Sequence, residues 1–303
     1  MDVGEHSLHP SPMTQTMTLR SGATLAWAES GDPQGLPVIF LHGWPASRLQ
    51  GAGFGPVARE LGIRIIAPDR PGIGLSTYVP GRQLLDWPPV VAELADHLQL
   101  DRFRMLAVSG GGPYAFAAAH GLGSRSLATA VVSGAPPLHD ATDPATLLGV
   151  YRWLLAIHRR QPWLLRAAFR AGKPFATMRP PRWLHPLMLR CVSPGDAAAL
   201  ADSRVFDGSW ECYREAWQGS GLGVVADAEV YAQPWGFEPE DVQGCIRLWH
   251  GGDDRSFNAI LASALGARLP CCTTRIVEGE GHYSLPIRHG REILEDLMRA
   301  GIE

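Results

Sequence analysis

Ser109 occupies the segment of the chain whose residue types are best suited to chemistry. A run rich in β-formers, Phe103 to Val108, ends at this serine, and three glycines, a proline and an alanine-rich stretch follow. That order predicts a strand, a very tight turn and a buried helix. A turn this sharp strains its central residue and brings strand and helix together, so the neighbouring side chains must be small. The serine hydroxyl would then stand free at the tip, as a nucleophile requires.

The structural alternative is a glycine-rich turn of a nucleotide-binding fold, with Ser109 as a helix cap. Neither G-x-G-x-x-G nor G-x-x-x-x-G-K-[ST] occurs at this turn, so the pattern favours a nucleophile. A serine hydroxyl needs a base, and the base needs an anion that fixes its tautomer. His282 and Asp254 can supply both, since each follows a predicted strand and the ends of parallel strands meet at one edge of a sheet. Asp253 is the alternative acid.

The turn at Ser109 matches the nucleophile elbow G-x-S-x-G, except that Ala107 replaces the first glycine. In this respect the chain resembles the α/β-hydrolase superfamily. In that superfamily the nucleophile, the acid and the base follow one another in this order along the chain. The resemblance implies that Ser109, Asp254 and His282 form a catalytic triad, because the family pattern His-Gly-x-x-Asp selects Asp254 over Asp253.

The segment His42-Gly43-Trp44-Pro45, which follows a continuous apolar run, extends the resemblance. In the superfamily this loop and the residue after the nucleophile each supply one backbone N–H to an oxyanion hole. Carried over to this chain, the donors are Trp44 and Gly110. Removing one such donor typically costs ~3 kcal/mol of transition-state stabilisation.

Other polar residues near these motifs are expected to be structural. His42 and His250 would brace their turns, and Asp69 and Arg70 would form a charge pair that fixes a loop. The serine at the elbow also separates this chain from haloalkane dehalogenases and epoxide hydrolases, relatives that carry an aspartate there.

Strands and helices alternate along most of the chain, which predicts an α/β fold with a mostly parallel central sheet and helices on both faces. A hairpin precedes the alternation, and residues 1–16 are expected to form a flexible leader. The alternation fails at 140–241, where the pattern turns helical and where the superfamily inserts a cap. We therefore expect an α/β-hydrolase core at 17–139 and 242–303, with a helical cap insertion between them.

The predicted cap contains an unusual stretch, residues 151–190, with nine basic and no acidic side chains. Such a segment could attract an anionic substrate, a membrane surface or a partner. The favoured interpretation is an amphipathic cap whose arginines lie in water while aromatic side chains line an apolar pocket. The interleaved aromatic residues are Trp153, Trp163, Phe169, Phe175 and Trp183.

Composition limits the remaining classes of protein. The chain has 303 residues, of which 46% are hydrophobic, and its formal net charge of −3 gives no reason to expect nucleic-acid binding. Five cysteines without C-x-x-C spacing indicate neither a disulfide framework nor a zinc site, so we expect no metal and no cofactor. The N-terminus lacks the apolar stretch of a secretory signal and no run is long enough to span a bilayer, which favours a cytoplasmic protein. A homodimer is compatible with this composition.

These features together predict a carboxylesterase-like serine hydrolase. Its substrate would be a small to medium, largely apolar ester, cleaved through an acyl-enzyme intermediate. A cofactor-free perhydrolase, a lactonase and a C–C bond hydrolase are the alternatives among enzymes. A receptor-like protein that binds a ligand is the alternative from another class, because fold does not determine function.

Overall fold

The computed structural model describes residues 13–139 and 149–301, and its centre is one sheet. The eight strands of the described residues are β1 (Thr14–Thr18), β2 (Thr24–Gly31), β3 (Leu36–Leu41), β4 (Ile63–Pro68), β5 (Phe103–Val108), β6 (Ser126–Val132), β7 (Cys245–Gly251) and β8 (Cys272–Val277). Their spatial order is β1-β2-β4-β3-β5-β6-β7-β8. Strand β2 runs antiparallel to both of its neighbours, and all other pairs are parallel. The predicted fold class is confirmed.

Twelve α-helices accompany the sheet within the same residues. They are α1 (Gly55–Glu60), α2 (Trp87–His97), α3 (Gly111–Leu122), α4 (Gly149–Arg160), α5 (Pro162–Thr177), α6 (His185–Leu189), α7 (Pro194–Leu200), α8 (Ser203–Ala216), α9 (Leu222–Tyr231), α10 (Ala259–Arg268), α11 (Ser284–Arg288) and α12 (Gly290–Arg299). Helices α2, α3 and α10 cover one face of the sheet, and α1 and α12 cover the other.

Strand β3 is apolar because both of its faces are covered. Val38 and Phe40 belong to the cluster that packs against α1 and α12, whereas Ile39 and Leu41 belong to the cluster on the opposite face. None of the four side chains is more than 1% exposed. A strand covered on both faces needs apolar residues at every position, and this is the pattern from which the sequence predicts it.

The predicted N-terminal hairpin is confirmed, but its first strand begins earlier than expected. Residues 14–18 pair with residues 24–28 of β2, so residues 14–16 belong to a strand and not to a flexible leader. Their side chains are exposed on the edge of the sheet, where backbone hydrogen bonds and not apolar burial hold the chain. The apolar pattern therefore does not reveal them. The rest of the expected leader, residues 1–12, lies outside the described residues.

The sequence pattern predicts one helix over 47–61 and another over 286–300, and the structure differs in both places. Residues 48–54 form a 3-10 helix before α1 instead of one continuous helix, and Gly51 and Gly53 within it disfavour α-helix. The predicted C-terminal helix is two helices that meet at His289. Helix α10 was not predicted, although Asn258 caps it by accepting a hydrogen bond from the Ile260 N–H.

Helices α4 to α9 lie between β6 and β7, in the part of the chain for which the sequence predicts a cap. The expected boundary near residue 140 falls outside the described residues. No helix in the described part of the chain combines the length and the apolar character that crossing a membrane requires.

A buried ion network connects helix α9 to the loop after β4 and to α3. The carboxylate of Asp227, on α9, is fully buried and accepts hydrogen bonds from Arg70 Nε at 2.9 Å, Arg82 at 2.5 Å and the Tyr114 hydroxyl at 2.8 Å. Burial alone would raise the pKa of Asp227, but the two guanidinium groups lower it to about 2. The carboxylate therefore stays ionised between two positive charges.

The expected pairing of Asp69 with Arg70 is wrong. Asp69 pairs with Arg48, with 2.6 Å between Oδ2 and the guanidinium, whereas Arg70 pairs with Asp227. Both residues fix the loop after β4, but each does so through a residue distant in the sequence.

We predict that Asp227→Asn destabilises the protein by ~3–5 kcal/mol, because it leaves two buried guanidinium groups without an anion. Asp207→Asn is the matched control, since Asp207, on α8, pairs with Arg179 but is 43% exposed. An exposed pair contributes at most ~1 kcal/mol. Urea unfolding followed by circular dichroism measures both variants, and equal losses of stability would contradict the prediction.

Candidate active site

The turn after β5 holds Ser109 in a conformation that few residues other than glycine adopt. Its φ angle is +53°, in the left-handed region. A β-carbon at Gly111 would overlap the carbonyl oxygen of Leu41, so the packing of α3 against β3 requires glycine there. The small residues that surround the serine in the sequence are thus those the sharp turn needs.

Ser109, His282 and Asp254 lie close together, beyond the carboxyl ends of β5, β8 and β7. His282 Nε2 lies 2.9 Å from Ser109 Oγ, and His282 Nδ1 lies 2.8 Å from Asp254 Oδ2. All three side chains are buried. Asp253, the alternative acid, is exposed to solvent. The geometry therefore joins a hydroxyl, an imidazole and a carboxylate in one hydrogen-bonded chain.

Asp254 is held by more than the histidine. Its Oδ1 accepts hydrogen bonds from the backbone N–H groups of Ser256 at 2.7 Å and Phe257 at 3.0 Å. Burial alone would raise the pKa of this carboxyl, yet His282 and the Phe257 N–H lower it overall. Burial alone would lower the pKa of His282, but the Asp254 carboxylate raises it overall. Asp254 is therefore ionised and stabilises a proton on His282.

His42 and His250 contact backbone groups, as expected for residues that brace turns. His42 Nδ1 lies 2.9 Å from the Gly43 oxygen, and its Nε2 accepts from the Arg70 N–H at 3.3 Å. His250 Nε2 lies 2.8 Å from the carbonyl oxygen of Phe257. Burial lowers the pKa of both imidazoles, which keeps them neutral.

The Trp44 and Gly110 backbone groups lie next to one another beside Ser109. A β-carbon added to Gly110 would be 3.1 Å from the Trp44 nitrogen. Among the described residues, no backbone acceptor binds either N–H. The neighbouring carbonyl groups are bound instead, because Arg70 donates to the Gly43 oxygen at 2.8 Å and the Tyr231 hydroxyl donates to the Gly110 oxygen at 2.8 Å. Within this part of the chain, both N–H groups therefore lie beside Ser109 without a backbone acceptor.

Asp196, on α7, is a residue of the site that the sequence analysis missed. Its buried carboxylate accepts three backbone hydrogen bonds, from His282 at 3.0 Å, Tyr283 at 2.7 Å and Ser284 at 2.8 Å. The pattern Ser193-Pro-Gly-Asp196 signals only a helix start, and Ser193 does cap α7. The carboxylate thus binds the amino end of α11 and holds the loop that carries His282.

A pocket opens in front of Ser109. Its wall is mostly apolar, and no lysine or arginine of the described residues contributes to it. None of the nine basic residues at 151–190 lines it, as expected. The five aromatic residues interleaved with them do not line it either, so the expectation that they form its wall is wrong. The lining residues are Trp44, Ser109, Gly110, Ala135, Leu138, Tyr151, Leu154, Leu155, His158, Leu165, Ala228, Tyr231, Ala232 and Phe257.

The fold and these motifs define a known class of protein. Residues 38–296 match the family model described as the alpha/beta hydrolase family, so the chain belongs to that family. The chain is similar to an uncharacterised hydrolase of Bacillus subtilis (strain 168), with 32% identity over 33% of this chain and 34% of that protein. It is also similar to a non-heme chloroperoxidase of Streptomyces lividans, with 30% identity over 48% of this chain and 56% of that protein. The matched regions thus span about a third to a half of these relatives.

Solved structures extend the likeness in fold to nearly the whole chain. An esterase of Thermogutta terrifontis superposes with a TM-score of 0.65, covering 94% of this chain and 97% of its own. The sequences are 19% identical, so this likeness concerns the fold.

We predict that the pKa of His282 lies above the ordinary value for histidine, and that Asp254→Asn lowers it below that value. Burial lowers the pKa of His282, and in the variant no Asp254 carboxylate opposes this effect. NMR titration of the histidine ring protons measures the shift, with His42 as an internal reference that should not change. An unaltered pKa of His282 in the variant would contradict the prediction.

Proposed function

We propose that this protein is a serine hydrolase that cleaves carboxylic esters through an acyl-enzyme intermediate. The observation that carries the proposal is the hydrogen-bonded chain from Ser109 through His282 to Asp254, at 2.9 and 2.8 Å. Membership of the alpha/beta hydrolase family supports a hydrolytic reaction.

In the first step Ser109 Oγ attacks the ester carbonyl while His282 Nε2 takes the hydroxyl proton. Asp254 supports the imidazolium that forms, and the N–H groups of Trp44 and Gly110 bind the developing oxyanion. His282 then returns the proton to the leaving alcohol as the tetrahedral intermediate collapses. Water attacks the acyl-enzyme by the same route and releases the acid.

Helices α4 to α9 act as the cap of this site. Tyr151, Leu154 and Leu155 of α4 and Leu165 of α5 form one side of the pocket, and Tyr231 of α9 forms another. An apolar wall favours an uncharged acyl group of small to medium size over an anionic one, because a carboxylate there would lose its hydration without gaining a cation.

We predict that Ser109→Ala lowers kcat for p-nitrophenyl acetate by roughly a thousandfold or more, because the nucleophile is lost while the oxyanion donors remain. Ser263→Ala, on the exposed side of α10, is the matched control and should retain full activity. A fluorophosphonate probe should label the wild type and the control but not Ser109→Ala. Wild-type turnover in Ser109→Ala would overturn the proposal.

Chain-length preference tests the role of the pocket. A series of p-nitrophenyl esters from acetate to palmitate should give a maximum of kcat/KM at short to medium length, with little effect of salt. Leu155→Trp should move this maximum to shorter chains because the indole fills the cavity, whereas Ala156→Trp, exposed on the same helix, should not. A preference for an acidic ester that disappears at high salt would instead indicate recognition by the arginines.

Perhydrolysis is a second candidate, favoured by the likeness to a protein named as a chloroperoxidase. Hydrogen peroxide would attack the acyl-enzyme in place of water, releasing a peracid and regenerating Ser109. Peracid formation from acetate and peroxide, measured beside ester hydrolysis, separates the two activities. A single burst of product followed by tight retention of ligand would favour a receptor over either enzyme.

A further inference from the structure

The outer surface of residues 151–190 carries aromatic side chains that the pocket does not use. Trp153 is 57% exposed, Trp163 is 65%, and Phe175 and Trp183 are each 75% exposed. A single exposed apolar residue is ordinary, but large aromatic residues concentrated in one segment mark an interaction site. We call these four residues and the basic residues of 151–190 the basic aromatic surface.

Helix α5 shows that this exposure follows from an amphipathic arrangement. Leu165 is buried and Phe169 half-buried on the side that faces the protein. Trp163 and Arg170 lie seven residues apart, and therefore on one face of the helix, and both are exposed. The outward face thus presents an indole and a guanidinium together.

The charge of this surface is strongly positive and largely unpaired. The segment holds nine of the 27 basic residues of the chain, and all 30 acidic residues lie outside it. Arg166 pairs with Glu229 and Arg179 with Asp207. Among the described residues, no carboxylate pairs with the remaining exposed arginines, which are Arg152, Arg159, Arg160, Arg170, Arg182 and Arg190.

We propose that the basic aromatic surface docks onto an anionic lipid bilayer. Tryptophan is favoured at the boundary between headgroups and acyl chains, and arginine beside it binds the negative surface of the lipid. A second copy of this chain is a poorer occupant, since a two-fold contact of the surface with itself would bring like charges together. An aromatic surface without acidic residues suits a negative, partly apolar partner such as a lipid bilayer.

The position of α4 gives this docking a consequence for substrate entry. Tyr151, Leu155 and His158 line the pocket, while Arg152 and Trp153 are exposed. The helix that closes the pocket therefore also belongs to the docking surface. Delivery of lipophilic esters from the bilayer to Ser109 rests on the proposed function, but binding to the bilayer does not.

Co-sedimentation with vesicles tests the proposal. The protein should bind vesicles of phosphatidylcholine and phosphatidylglycerol in equal amounts, bind phosphatidylcholine alone far more weakly, and dissociate as salt rises. Arg170→Gln and Arg182→Gln should each weaken binding roughly fivefold, the usual effect of one basic residue at such a surface. Trp163→Ala combined with Trp183→Ala should weaken it by roughly tenfold or more.

Two control variants lie outside the surface. Arg102→Gln replaces an exposed basic residue and Ile260→Ala an exposed apolar residue, both outside residues 151–190. Both variants should bind vesicles as the wild type does. All surface variants should hydrolyse p-nitrophenyl acetate normally, and Ser109→Ala should bind vesicles normally, so docking and hydrolysis can fail separately.

Three results would overturn the docking proposal. The first is equal binding to both kinds of vesicle, and the second is equal loss of binding in the control and surface variants. The third is a dimer in analytical ultracentrifugation that the double tryptophan variant abolishes, because the surface would then be covered by a second copy.

Discussion

Much of the site depends on one buried carboxylate, Asp227, held between two guanidinium groups. An unpaired charge in this position would cost several kcal/mol, so the three groups must remain together. Because Asp227 belongs to α9 and Arg70 binds the carbonyl groups just before Trp44, the network ties an inserted helix to the loop after β3. Tyr231, one turn further along α9, binds the Gly110 oxygen. A single helix therefore restrains the backbone on both sides of the space in front of Ser109.

A second inserted helix restrains the other half of the site. Asp196, near the start of α7, accepts hydrogen bonds from three consecutive backbone N–H groups beginning at His282. The imidazole itself is held by Asp254 and reaches Ser109. The sheet thus brings the strand ends together, while the helices between β6 and β7 hold the loops that follow those ends. The helices between β6 and β7 therefore contribute to the geometry of the site as well as to the wall of the pocket.

Helices α4 and α5 divide their residues between two environments. The inward side chains, such as Leu155 and Leu165, face an apolar pocket, and the outward side chains include Trp163 and Arg170. An arginine on an outer face can keep its guanidinium hydrated, whereas inside the pocket it would lack an anion. This asymmetry explains how a segment with nine basic residues can border a mostly apolar pocket.

The sequence by itself determined the features that depend on neighbouring residues. A sharp turn needs small residues within a few positions of Ser109, and a strand covered on both faces needs an unbroken apolar run, so the elbow and the sheet could be predicted. Only the tertiary structure decided the roles of Asp196 and Asp227. Their partners lie 86 and 157 residues away, and no local pattern records which distant charge a buried carboxylate will meet. The sequence pattern also does not reveal the edge strand that starts at Thr14. Backbone hydrogen bonds hold this strand, and residues of any type can form them.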